Sequence, residues 1–298
     1  MASNLPESIS QFLLKIKDIK KRDEISKKFG NAYKRIPLFG SEENISGTIL
    51  LQIKNGKYFK FNEILIEFIG QLEIKGEKPY KFLSITKQIS SKTIIKGKKE
   101  WEFEFENVEK LYESFVGKLI CVRYFIQVSI KRSFSKNLNQ EFDIWILKKQ
   151  EIEDKGNPIQ IEVGVPNCLH IQIEYLKLNY DLQDVLIGKV FFIFSRVKLR
   201  SMEISFIRQE TIIATDEVIR NAEVLAKFEI MDGSPNKGDC IPIRIFLQSI
   251  RLKPTYPNIE NKCSVRYDLN LMLIDEKGNE YFKCCEIFLY RKSLQIKK

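Results

Sequence analysis

The chain has 298 residues, 44% of them apolar, and carries 49 lysines and arginines against 39 acidic residues for a net charge of +10. That length suffices for two ordinary domains with sizeable cores. The longest apolar run, Val190-Phe191-Phe192-Ile193-Phe194, is far too short to span a bilayer, and Met1-Ala2-Ser3 opens neither a signal peptide nor a myristoylation motif. The expectation is a soluble, cytosolic protein that another molecule brings to any membrane.

The first 30 residues read in two ways. Ile9, Phe12, Leu13, Ile16 and Ile19 fit one face of a helix behind Ser8 as N-cap. Leu14 and Ile16 also alternate with Lys15 and Lys17 as an edge strand does, and a strand over Phe12 to Ile19 is preferred. From Ile36 onward the period is two. Ser46 to Ile53, Glu63 to Glu73, Trp101 to Phe105, Val122 to Arg132 and Glu141 to Leu147 read as strands, with Asn55-Gly56 a hairpin-type turn signal. Residues 148–158 (KKQEIEDKGNP) are polar, charged and end in Gly-Asn-Pro, so they read as a linker between domains 1–153 and 154–298.

After the linker the pattern starts again. Ile45-Ser46-Gly47-Thr48-Ile49 is answered by Leu186-Ile187-Gly188-Lys189-Val190, and Ile66-Glu67-Phe68-Ile69-Gly70-Gln71 by Ile204-Ser205-Phe206-Ile207-Arg208-Gln209. Val122-Arg123-Tyr124-Phe125-Ile126-Gln127-Val128 is answered by Val265-Arg266-Tyr267-Asp268-Leu269-Asn270-Leu271. Three blocks in one order, offset by about 140 residues, predict two copies of one domain. Short strands and frequent turns make each copy an antiparallel sandwich. The fold class is all-β: two tandem antiparallel β-sandwiches.

Chemistry is sparse. His170, the one histidine, lies in the alternating run Cys168 to Ile173; a Cys168–His170 pair shares a face but lacks a third orienting group. No phosphate loop, nucleophile elbow or zinc spacing appears, and the six cysteines read as reduced thiols, with Cys284 packed and Cys285 at the surface. The lysines are scattered, with Lys96, Lys98 and Lys99 in one loop, and no RNA-binding aromatic motif accompanies them. The residues argue against an enzyme, a metal, a cofactor or a nucleic-acid partner. A rigid β-scaffold without a site usually binds other proteins, often by strand addition.

The stretch Lys227 to Leu247 stands out. Phe228/Ile230 and Ile241/Ile243/Ile245/Leu247 alternate on either side of a turn-rich loop, and Ile230-Met231 runs two apolar side chains straight into it. Strand neighbours point to opposite faces, so one of the two should be exposed. Two readings stand: a methionine tucked under its own loop, or a docking tip.

Long ordered blocks also resemble the vacuolar protein sorting 26 family. They include Ile161-Glu162-Val163-Gly164 with Cys168 to Ile171, Ala226 to Gly233, Ile241-Pro242-Ile243-Arg244, Lys262 to Leu271, and Tyr281-Phe282-Lys283 with Glu286 to Lys292. Ile64 to Glu73 and Tyr112-Glu113-Ser114 with Arg123-Tyr124-Phe125 match in the first half. The resemblance covers about residues 36 to 293; the first 35 residues and the apolar stretch 211–225 depart from it. The retriever-type paralogue fits the second half less well. The resemblance implies an arrestin-like fold and a non-catalytic, cofactor-free subunit of retromer, peripheral on the endosome membrane. The implied partners are the large α-solenoid retromer subunit, docked on Ile230 and Met231, a PX-domain sorting nexin, and the cytosolic tails of membrane cargo. Cargo peptides would add to a strand edge near Val163 and Phe282; plain core packing is the other reading of Phe282. The alternative role is a stand-alone arrestin-type or retriever-type cargo adaptor.

Overall fold

The computed structural model describes residues 5–29, 32–133, 135–152, 158–213 and 217–293. The chain separates into two compact units, residues 1–148 and 149–298. The division falls at the start of the predicted linker, whose residues 153–157 lie outside the described residues.

Unit 1 runs β1 (Ile9–Ile16), β2 (Glu24–Phe29), β3 (Ala32–Gly40), β4 (Ile45–Ile53), β5 (Phe59–Phe61), β6 (Glu63–Ile74), β7 (Tyr80–Ser90), β8 (Thr93–Ile95), β9 (Lys98–Phe105), β10 (Phe115–Val116), β11 (Ile120–Lys131) and β12 (Leu138–Leu147). Among the described residues β1-β4-β9 form one sheet and β2-β3-β12-β11-β6-β7 the other, with β10 on β11 and a separate ribbon of β5 and β8. The first strand settles the ambiguous N-terminus: β1 pairs with β4, and it ends at Ile16, because Ile19 belongs to a short 3-10 turn.

Unit 2 runs β13 (Ile159–Val165), β14 (Leu169–Tyr175), β15 (Asn179–Asp181), β16 (Val185–Ser195), β17 (Leu199–Ile213), β18 (Val218–Asp232), β19 (Cys240–Phe246), β20 (Tyr256–Ile259), β21 (Cys263–Asp275) and β22 (Glu280–Tyr290). Its sheets are β13-β14-β16-β19 and β15-β22-β21-β17-β18, with β20 on β21. The chain is thus all-β and arrestin-like in having two β-sandwiches in tandem.

The repeat holds strand by strand. The order β3-β12-β11-β6-β7 with β10 attached matches β15-β22-β21-β17-β18 with β20 attached, and in both the first pair alone is parallel. The paired glycines have the same cause. A Cβ on Gly188 would sit 2.6 Å from the Glu174 carbonyl of β14, and one on Gly47 would overlap the Lys15 carbonyl of β1 and the Phe103 ring. Both sites need a residue without a side chain. A second correspondence was not visible in the sequence. The Ser114 amide donates to the Ile146 carbonyl and its Oγ accepts from the Ile146 amide, both at 2.9 Å; Thr255 does the same with Leu289 at 2.8 and 2.9 Å. Both hydroxyls are buried and pin the last strand of their sheet.

Alternation places the cores. In β11, Val122, Tyr124, Ile126, Val128 and Ile130 are buried, and in β21 Val265, Tyr267, Leu269, Leu271 and Leu273 are. Burying such a side chain fully stabilises by about 1.5–3 kcal/mol, so the two strands anchor their units. The arginine of each Val-Arg-Tyr block points outward and pairs with a glutamate of the next strand: Arg123 with Glu141 at 2.8 Å and Arg266 with Glu286 at 2.9 Å. Unit 1 buries the Lys110 side chain. The Lys110 ammonium donates to the Ser41, Glu43 and Val108 carbonyls at 2.9, 2.8 and 3.0 Å.

Three local expectations change. Asn55-Gly56 does turn, closed by the Lys57 amide on the Lys54 carbonyl, but β5 pairs with β8 rather than folding back on β4. Leu247 leaves the strand and enters a 3-10 turn, where it is fully buried. Cys284 is the exposed member of its pair and Cys285 the half-buried one, since Cys285 lies opposite the core residue Leu269.

Candidate functional site

The expected residues divide between the two sides of unit 2. β18 is the outer strand of its sheet and β19 the outer strand of the facing sheet, and the loop 233–239 crosses from one to the other. Ile230 and Met231 end β18 at this crossing.

Their setting follows from a break in register. Met231 lies opposite Met202 and Glu229 opposite Glu203, so Ile230 is an extra residue with no partner, a β-bulge. Strict alternation is suspended there. Both Ile230 and Met231 are half-buried, which corrects the expectation that one of them is exposed. A second bulge sits at Leu225, between the pairs Phe206/Ala226 and Ile207/Val224. Each bulge coincides with adjacent apolar residues in the sequence, Val224-Leu225 and Ile230-Met231. Such doublets in an otherwise alternating strand are the signal that would have located them. Bulges on an outer strand also keep its open edge from pairing indiscriminately.

The crossing itself is held at both ends. Gly233 adopts φ 87° and donates to the Arg200 carbonyl at 2.7 Å, and Gly238 adopts φ 89° and donates to the Phe192 carbonyl at 2.7 Å. Both conformations favour glycine. The Asp239 carboxylate accepts from the Asn236 amide at 2.7 Å, and the Phe192 amide returns a bond to the Asp239 carbonyl at 3.0 Å. The loop is therefore stitched to β16 and β17, and it presents the Ile230-Met231 pair from a fixed frame.

Val163 and Phe282 stand on the other side. β13 is the outer strand of its sheet, and Val163 lies half-buried opposite Ile171, whose side chain is fully buried. Residues opposite each other share a face, so Val163 points inward. β22 meets β15 only through Phe288, Leu289 and Tyr290, which leaves the edge from Glu280 to Glu286 open. Phe282 pairs with Met272 and is 67% exposed on the outer face, so it is not core packing. Its strand begins at a tight turn built on Asp275. That carboxylate accepts from the Asn279 side chain at 2.8 Å, the Asn279 amide at 2.8 Å, the Lys277 amide at 2.9 Å and the Tyr281 hydroxyl at 3.2 Å. These bonds, the Asn279 side chain foremost, hold the Asp275 carboxyl below its ordinary value. Further along the same strand, burial pushes the thiols of outward-facing Cys284 and inward-facing Cys285 up, which keeps them protonated.

The Cys168–His170 arrangement also looks different in three dimensions. Cys168 lies in the turn before β14, while His170 is on the strand, its Nε2 3.6 Å from the Glu162 carboxylate of β13 and its ring edge-on to Phe194. Sequence spacing had not pointed to Glu162. Among the described residues no group of three His, Cys, Asp or Glu side chains is placed to hold a metal, and no helix is long and apolar enough to cross a membrane.

The geometry thus offers strand edges and apolar anchors on a rigid scaffold. A family model described as Vacuolar protein sorting-associated protein 26 matches residues 8–278. The chain belongs to the Vps26 family. It is 37% identical over 260 residues to Vacuolar protein sorting-associated protein 26 of Schizosaccharomyces pombe, covering 87% of each chain. It is 38% identical over 278 residues to the Dictyostelium discoideum protein of that name, covering 92% of this chain and 79% of the relative. To Vacuolar protein sorting-associated protein 26B of Homo sapiens it is 38% identical over 291 residues, 97% of this chain and 86% of the relative. Membership of the Vps26 family gives the chain a role in vacuolar protein sorting.

Proposed function

We propose that this chain is a non-catalytic adaptor subunit of retromer, acting peripherally on the endosome membrane in the retrieval of membrane proteins. The observation that carries the reading is the bulged Ile230-Met231 pair. Two apolar side chains remain partly open to solvent at the end of an outer strand, on a loop stitched to both sheets. Such a pair is an anchor for an apolar groove, here one between helices of the large α-solenoid subunit. Val163 and Phe282 serve a second contact on the opposite side of the unit, where a cargo tail, held together with a PX-domain sorting nexin, adds a strand to an open edge. An exposed phenylalanine beside free backbone groups suits that mode, because the edge supplies affinity and the side chains supply selection.

The test is native co-purification. A tagged chain recovered from its own cells at low concentration should carry the solenoid subunit in stoichiometric amount. Recovery with cargo tails but without the solenoid would replace this reading with a stand-alone or retriever-type adaptor.

A further inference from the structure

The ribbon of β5 and β8 brings together two lysine clusters that the sequence separates. Segments 54–61 (KNGKYFKF) and 90–99 (SSKTIIKGKK) contain seven lysines and no acidic residue. The register sets Phe59 opposite Ile95, Lys60 opposite Ile94 and Phe61 opposite Thr93. Phe59, Phe61 and Ile95 are buried, and Phe61 meets the Trp101 ring edge-on at 6.3 Å, so they form the inner face. By alternation the outer face presents Tyr58, Lys60, Lys92, Ile94 and Lys96. Tyr58 is 63% exposed and Ile94 55% exposed, a large aromatic and a branched aliphatic side chain standing in water. Beside them lies a cavity of about 570 Å³ lined by Lys92, Lys96 and Lys99 together with Ser90, Ser91 and Trp101.

The electrostatics are one-sided. Lys57 meets Glu7 at 3.5 Å and Lys98 meets Glu100 at 2.8 Å, both at the margins. Among the described residues no carboxylate lies within ion-pair distance of Lys60, Lys92 or Lys96. Ordinary solvated lysine faces are interleaved with acids and carry no exposed apolar tip. Ammonium groups ringing an aromatic and an aliphatic side chain fit a surface whose outer layer is anionic and whose next layer is hydrocarbon.

We infer that the outer face of the β5–β8 ribbon docks directly on an anionic lipid bilayer. Tyr58 and Ile94 enter the interfacial layer while Lys60, Lys92 and Lys96 meet phosphate headgroups. This contact is separate from the solenoid and cargo surfaces, which are on unit 2, and its test involves neither.

The full chain is sedimented with phosphatidylcholine vesicles with and without phosphatidylserine, across a salt series. Binding should require phosphatidylserine and weaken as salt rises. A Lys60→Gln/Lys92→Gln/Lys96→Gln variant should bind about a hundredfold more weakly, since each lysine near such a surface is worth about a factor of five. Tyr58→Ser/Ile94→Ser should weaken binding about tenfold and leave the melting temperature unchanged, because both side chains already face water. The inference is overturned if folded wild-type chain ignores phosphatidylserine or if the triple lysine variant binds as well as wild type. It is equally overturned if binding to single-stranded RNA matches vesicle binding and is indifferent to Tyr58 and Ile94.

Discussion

The two units share a topology and differ where the chain crosses between sheets. In unit 2 the crossing from β18 to β19 takes only residues 233–239 and is preceded by the bulged Ile230-Met231 pair. In unit 1 the equivalent crossing, from β7 to β9, is interrupted by β8, which reaches out to pair with β5 and forms the lysine-bearing ribbon. The inner faces are alike: the same strand order, the same glycine at the same crowded place, the same buried hydroxyl bonded to the strand that comes last in the chain order. One repeated core therefore carries two unlike surfaces, a half-buried apolar pair beside the crossing in one copy and a lysine-bearing ribbon in the other. A core tolerates little change once packed, whereas a connection between outer strands is free to vary.

The largest expected effect tests the shared core. Gly47→Ala and Gly188→Ala each force a methyl group against a neighbouring strand and should cost about 3 kcal/mol, read as a lower denaturant midpoint. Gly164→Ala, with its nearest atom 3.9 Å away, should cost almost nothing and serves as the control. A tolerant Gly188 beside an intolerant Gly47 would break the equivalence of the units. Next come the hydroxyl clamps. Ser114→Ala and Thr255→Val each leave a buried strand amide without its acceptor, and similar losses of about 1–3 kcal/mol are expected from both. Strongly unequal losses would show that one clamp only fills space.

The smallest effect belongs to unit 2 alone. The hydrogen bonds at Asp275 lower its folded pKa beneath its ordinary 3.8. The stability they contribute is therefore present above that value and lost as pH falls through the lower, folded one. The stability gap between wild type and Asp275→Asn should be flat above about pH 4 and shrink below it. A gap that widens with acid would mean the carboxylate is not what these donors hold.

Much of this was legible beforehand because it rests on period and repetition. Alternation in Ile66 to Gln71 and Val122 to Val128, answered by Ile204 to Gln209 and Val265 to Leu271, reveals strands and their duplication without any coordinates. Gly47 and Gly188 were visible as a matched pair, but the reason for them, a neighbouring carbonyl, needed the register. Bulges escaped for the same reason. The apolar doublet at Ile230-Met231 looks like a conflict of faces until the extra residue opposite no partner is seen. The cysteine pair was assigned the wrong way round because its parity depends on which residue opposes Leu269. The lysines looked scattered because β5 and β8 are distant in sequence and join only through pairing. Long-range register is what alternation alone leaves undetermined.

The central claim concerns the Ile230-Met231 pair, and titration calorimetry tests it most directly. The chain is titrated with the N-terminal portion of the large α-solenoid subunit, as wild type and as Ile230→Asp/Met231→Asn, with thermal melts of both. At about 2 kcal/mol for each anchor, the double variant should lose roughly a thousandfold in affinity while melting like wild type. A folded wild-type chain that gives no binding heat, or a variant that binds as tightly as wild type, would contradict the account.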